Sequence, residues 1–189
     1  MSLISSTDIH TSAKQSFGGD MKIVLIGLLL LIGSGANAEK LSSSQHTDSC
    51  VNDYTVCVIV SKAEQRLYAY YNGQAIEGVN DTPVSTARPG KNTPTGTFSI
   101  GELAGPNRVS TLYKGAALYY AMQLNGNIFI HGTSENNYAK LGERASAGCI
   151  RTTFSVAEKL NLIMREVGGR TKAGNIADSS EVRVVVIAD

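Results

Sequence analysis

Two Asn-Gly dipeptides constrain the folding of this chain more than any other feature. Asn72-Gly73 separates residues 65–71 from residues 74–79, and Asn125-Gly126 separates residues 117–124 from residues 127–131. Both pairs of flanking runs are rich in Tyr, Leu, Ile and Phe. A two-residue turn with positive φ at both central positions matches the right-handed twist of antiparallel strands, and Asn-Gly adopts it at least cost. Two hairpins are therefore predicted, and His131 closes the second of them and opens a loop.

The remaining patterning agrees. Residues 54–61 form a continuous β-branched and apolar run of the kind a buried strand requires, and residues 96–100 and 181–187 read as further strands. The Gly- and Pro-bearing stretches 87–95 and 105–107 read as turns within one domain. A single helix is predicted from Ser155, which forms a Ser-x-x-Glu capping box with Glu158. Val156, Leu160, Ile163, Met164 and Val167 recur at helical spacing and face a sheet, and Gly168-Gly169 ends the pattern. With strands dominant and no internal repeat, the predicted class is mostly β, with β-sandwich-like mixed sheets and one main helix late in the chain, over a doubly wound α/β fold.

The N-terminus bounds the compartment. Met21-Lys22 precedes an apolar run, residues 23–32, and the small residues that follow end in Ala36-Asn37-Ala38. This reads as a signal peptide over residues 21–38. The apolar run is about half of the roughly 20 residues a spanning helix needs. Residues 1–20 lie upstream of the natural n-region, so translation is expected to start at Met21 or the export signal to be extended. Removing 38 of the 189 residues leaves 151, enough for one domain with a real core. We divide that remainder into a short polar leader, residues 39–53, and a catalytic-size domain, residues 54–189. No lipid-attachment pattern surrounds Cys50. A formal net charge of +1 without charge blocks lacks the footprint of a nucleic-acid binder.

Three cysteines in an exported chain leave one thiol over. Cys50 and Cys57 either pair in an oxidising compartment or leave Cys57 as a small core residue. On either reading Cys149 is the free thiol. A thiol becomes a strong nucleophile only as thiolate, and an imidazole can activate it. Of the histidines, His10 precedes the export signal and His46 lies in a polar stretch, so His131, 18 positions before Cys149, is the partner by elimination. Gly148 removes bulk beside the thiol, and the N–H groups around Gly148 and Cys149 are candidates for an oxyanion hole. Ser146 is read either as a hydrogen-bonding site residue or as a turn residue. This chemistry calls for no metal and no cofactor.

At His131-Gly132-Thr133 and Ser146-Ala147-Gly148-Cys149-Ile150-Arg151 the chain resembles the L,D-transpeptidase family, the YkuD-like catalytic domain of bacterial cell-wall enzymes. Residues 84–88 and 92–98 resemble that family's Ser-Thr-Gly and Thr-Pro-x-Gly-x-Phe elements, and the likeness extends over residues 54–187. Two positions depart from it: Ala147, where the family commonly has a second histidine, and Ala87-Arg88, where it has glycine.

The resemblance implies a mechanism. His131 deprotonates Cys149, and the thiolate attacks a peptidoglycan stem tetrapeptide, releases D-alanine and leaves a thioester. An amine of a neighbouring stem then forms a 3→3 cross-link, while water would give L,D-carboxypeptidase activity and a wall lipoprotein is an alternative acceptor. Gly132 or Thr133 would orient the imidazole through the backbone. Arg151 would hold a substrate carboxylate or anchor its loop by an ion pair. Partners are thus stem peptides and no nucleic acid, the chain is expected to be monomeric, and its place is the periplasm or cell envelope. Two other classes compete. A papain-like wall peptidase would normally place its cysteine before its histidine, at the start of a helix. A non-catalytic wall-binding protein on a degenerate version of the same fold is the other.

Overall fold

The computed structural model describes residues 43–168, 175 and 178–188. The predicted signal peptide, the extension before it, residues 39–42 of the leader and Gly169 lie outside the described residues. Among the described residues nine strands and two α-helices form in the order α1 (Ser43–Asp53), β1 (Val56–Ser61), β2 (Arg66–Tyr71), β3 (Gln74–Ala75), β4 (Thr82–Pro83), β5 (Gly96–Phe98), β6 (Tyr119–Asn125), β7 (Ile128–Gly132), β8 (Ile150–Thr152), α2 (Phe154–Gly168) and β9 (Val182–Ile187). The fold is mostly β, with mixed sheets and one main helix after the cysteine.

The larger sheet runs β3-β2-β1-β9-β5, with β4 also on β2, and the smaller runs β6-β7-β8. The first Asn-Gly pair is the turn between antiparallel β2 and β3, with Asn72 at φ 48° and Gly73 at φ 75°. The second hairpin, antiparallel β6 with β7, also forms, but its turn is Gly126-Asn127: Asn125 ends β6 and pairs with Ile128. The continuous apolar run of β1 is explained by burial on both of its faces. Val56, Val58 and Val60 point into the core, with Met122 and Ile130 of the smaller sheet and Leu160 and Met164 of α2. Cys57 and Ile59 point the other way, into a second cluster with Cys50 and Val185. That cluster is covered by α1, so the polar leader, which carried no pattern of its own, is helical over 43–53. A Cys50–Cys57 disulfide, Cα–Cα 5.5 Å, ties α1 to β1 and leaves Cys149 as the free cysteine among the described residues.

The main helix corrects one expectation. It begins at Phe154, and the residue that caps it is Thr153, whose Oγ1 accepts the Val156 N–H at 3.3 Å while its carbonyl accepts the Ala157 N–H at 3.1 Å. Ser155 lies inside the first turn. Glu158 does not reach back to it but accepts a hydrogen bond from Tyr120 Oη at 2.6 Å. With Thr152, Thr153 and Ser155 all able to cap, spacing alone picked the wrong member.

A bulge in β6 seats this helix. The β6–β7 register shifts between Tyr119 and Met122, and Tyr120 sits at φ 49°, sparsely populated for a bulky side chain. Consecutive strand residues normally face opposite ways. Here Tyr119 and Tyr120 both pack edge-on against Phe154, at ring separations of 5.4 and 5.3 Å. Fully buried Asn161 completes the joint, its Nδ2 donating to the carbonyls of Ala104 and Tyr120.

Candidate active site

The strands β7 and β8 are parallel, with Ile130, His131 and Gly132 opposite Ile150, Arg151 and Thr152. Parallel neighbours need a crossover, and the 18-position step from His131 to Cys149 is that crossover, carrying a 3-10 turn over Glu135–Lys140. Side chains alternate along a strand. Ile130 and Ile150 enter the core, so His131 and Arg151 share the other face, and Cys149, two residues before Arg151, shares it with them. There they line one cavity of about 280 Å³, together with Arg88, Thr133 and Ala147. Cys149 also borders a second cavity, of about 270 Å³, with Asn127, Arg108 and Phe129.

His131 is 3 % exposed, and its Nδ1 lies 2.8 Å from the Gly132 carbonyl oxygen. A carbonyl only accepts, so Nδ1 carries the proton and Nε2 presents its lone pair. Burial pushes the imidazole down to about 4; the bond to Gly132 opposes that shift and the charge of Arg151 adds to it. At neutral pH this ring is an uncharged base. Burial likewise pushes the Cys149 thiol up, opposed by a backbone hydrogen bond at Phe129 and by Arg151. The thiol also lies 3.6 Å from the Asn127 carbonyl oxygen, to which it can donate. The resting pair is therefore thiol and neutral imidazole.

Gly132 has its carbonyl fixed by packing. A Cβ there would lie 3.1 Å from Phe154 Cα and 3.2 Å from Tyr119 Cβ, so the chain must pass close beneath the start of α2. Thr133, buried beside it, donates its N–H to the Thr152 carbonyl and accepts from Asn137 Nδ2 through Oγ1.

The approach to Cys149 is fixed from the other side. Ser85 and Arg151 exchange both backbone hydrogen bonds, and Ser146 donates its N–H to the Thr86 carbonyl and accepts the Arg88 N–H. Fully buried Thr93, which the sequence reading did not single out, accepts the Ala87 N–H and donates to the Gly148 carbonyl at 2.7 Å. Its only signal was its place within the Thr-Pro-x-Gly element.

At Gly148 the structure narrows the expected oxyanion hole. The Gly148 N–H donates to Ser146 Oγ at 3.0 Å, so it is already engaged, and the buried Ser146 serves as a loop staple. The glycine is needed for its φ of 142° and because a Cβ would meet Ile128 Cδ1 at 2.8 Å and the Asn92 oxygen at 3.1 Å. Arg151 is half-buried and forms no ion pair among the described residues, which removes the loop-anchoring ion pair as its role. No group of three or more His, Cys, Asp or Glu among the described residues could hold a metal ion.

Known proteins share this framework. A family model described as the L,D-transpeptidase catalytic domain, YkuD, matches residues 55–167. An L,D-transpeptidase from Mycobacterium tuberculosis H37Rv superposes with a TM-score of 0.56 at 19 % identity, covering 71 % of this chain and 58 % of that one. An L,D-transpeptidase from Stackebrandtia nassauensis gives 0.52 at 21 %, covering 71 % and 56 %. L,D-transpeptidase 3 from M. tuberculosis gives 0.52 at 18 %, covering 71 % and 61 %. At these identities the likeness is one of fold, and the chain spans about three-fifths of the length of each. A search of curated proteins finds no significant match. With the family model covering more than half of its length, the chain belongs to the YkuD family of L,D-transpeptidase catalytic domains.

Proposed function

We propose that the protein is an exported, monomeric peptidoglycan L,D-transpeptidase that works through a Cys149 thioester. One observation carries this reading: Cys149 and a neutral, Nε2-presenting His131 share one face of β7–β8 and open into one cavity. As the thiol attacks the carbonyl of a stem tetrapeptide, its proton passes to His131 Nε2. The imidazolium returns that proton to the departing nitrogen, the C–N bond breaks, and D-alanine leaves. The thioester remains on Sγ. An amine from a second stem then attacks, gives its proton to His131, and expels the thiolate as the new amide forms. Water in place of that amine yields L,D-carboxypeptidase chemistry.

The two cavities adjoin along a shared wall that includes Leu118, Asn127 and Cys149, and this extended space beside the thiol suits a reaction with two substrates in turn. With the Gly148 N–H engaged, the Cys149 N–H is the remaining donor for the oxyanion near the nucleophile. The Cys50–Cys57 disulfide suits an oxidising compartment, which supports export to the periplasm or cell envelope through residues 21–38.

L,D-transpeptidase 3 from M. tuberculosis has been solved with a faropenem-derived adduct. Mass spectrometry of this protein after incubation with a carbapenem tests the reading. The expected result is one adduct on Cys149, lost in Cys149→Ala and formed orders of magnitude more slowly in folded His131→Ala. An unmodified wild-type protein, under conditions where a known transpeptidase reacts, would sink the proposal.

A further inference from the structure

The cavity shared by His131 and Cys149 holds two arginines and no carboxylate. Neither Arg88 nor Arg151 forms an ion pair among the described residues; burial disfavours the charge of Arg151, and the nearby charge of Arg88 adds to that. Like charges gathered in a cleft are costly unless an anion comes between them. Backbone pairing imposes the arrangement. Arg151 is held by its two hydrogen bonds to Ser85, and Arg88 by its N–H bond to the Ser146 carbonyl at 3.0 Å, with its Nη1 3.4 Å from the same oxygen. Only the small side chain of Ala147 lies on the cavity wall between Ser146 and Gly148.

We propose that Arg88 and Arg151 together bind the α-carboxylate of the amino acid whose nitrogen leaves the acyl carbon as Cys149 is acylated. This rests on the transpeptidase reading. In that reaction the nitrogen must lie at His131 Nε2, which exchanges a proton with it. The residue beside His131 across the β7–β8 ladder is Arg151, one strand spacing of about 4.8 Å away. An α-carboxylate stands two bonds from its nitrogen. An amino acid with its nitrogen at the imidazole therefore has its carboxylate within reach of Arg151 in the same cavity, and exposed Arg88 lines that cavity too. Specificity follows: a free carboxylate is favoured over its amide on the departing amino acid.

Alkylation of Cys149 by iodoacetate and by its neutral isostere iodoacetamide tests the site without relying on transpeptidation, since the other cysteines are paired. Arg88→Gln is expected to lower the iodoacetate-to-iodoacetamide rate ratio about tenfold, and Arg88→Lys to restore most of it. Arg88 is exposed, so both variants keep the fold, which circular dichroism verifies. A ratio within twofold of wild type in Arg88→Gln overturns the proposal. The second arm compares acylation by a stem tetrapeptide with a free C-terminus and by its C-terminal amide. Wild type is expected to prefer the free acid at least tenfold, and Arg88→Gln to lose most of that preference. Equal acylation by both peptides overturns the clamp and leaves the transpeptidase reading standing. If neither peptide acylates the protein while the alkylation bias still depends on Arg88, the two-arginine anion site stands and the transpeptidase reading falls.

Discussion

His131 shows how a residue's surroundings set its chemistry. That it would share a cavity with Cys149 was legible because only one histidine lay in patterned sequence, but its tautomer was not, since that depends on a carbonyl pinned beneath α2. The depressed ring fixes the sign of two pH effects. For function, the base is uncharged above about pH 4, so the acid limb of Cys149 acylation should fall near pH 4 rather than near the usual histidine value of about 6.5, read from acylation rates across pH 3–8. For stability, between those two values the unfolded chain binds the proton that the folded chain refuses. Stability is full above about 6.5 and is lost as pH falls toward 4, by about 2 to 3 kcal/mol for this group. Urea midpoints at pH 7 and 4.5 should converge in His131→Asn relative to wild type. Gly148→Ala tests the neighbouring constraint. A Cβ at φ 142°, 2.8 Å from Ile128 Cδ1, should cost about 2 kcal/mol or more and slow acylation by displacing Cys149. Thermal denaturation and adduct kinetics would show both effects.

At the scale of elements, what the sequence declared locally it declared well. Both hairpins form, the second with its turn one residue later than Asn125-Gly126, and the spacing of Val156, Leu160 and Met164 identified the buried stripe of α2. What depended on distant partners was not legible. The bulge that turns Tyr119 and Tyr120 onto Phe154 has no signature in either tyrosine, and Asn161, buried to stitch α2 to β6, sits where an apolar stripe would not invite an amide. The helix start was missed because several neighbouring hydroxyls compete to cap it. The observed cap makes a discriminating prediction: Thr153→Ala should cost about 1 kcal/mol, while Ser155→Ala should change stability by less than about 0.5 kcal/mol, as measured by chemical denaturation. The reverse ranking would return the cap to Ser155.

At the scale of the molecule, the central strands of the larger sheet come from opposite ends of the described chain, since β1 pairs in parallel with β9. No local signal specifies that pairing. It follows from two strands each needing cover on both faces, and α1 supplies the cover on the side away from the active site. The disulfide fastens that cover across a separation of seven residues, for which the chain-entropy model gives about 2 kcal/mol. Replacing both cysteines by alanine should therefore lower the unfolding free energy, measured by urea denaturation, by at least that much, with an added term for the packing lost around Ile59 and Val185. The candidate active site lies on the smaller sheet, across the main core, and shares no residue with the α1 cluster. The acylation rate of Cys149 in the still-folded double variant should accordingly match wild type within about twofold. A large fall in that rate at unchanged fold would mean that α1 and its tether position the thiol as well as stabilise the sheet.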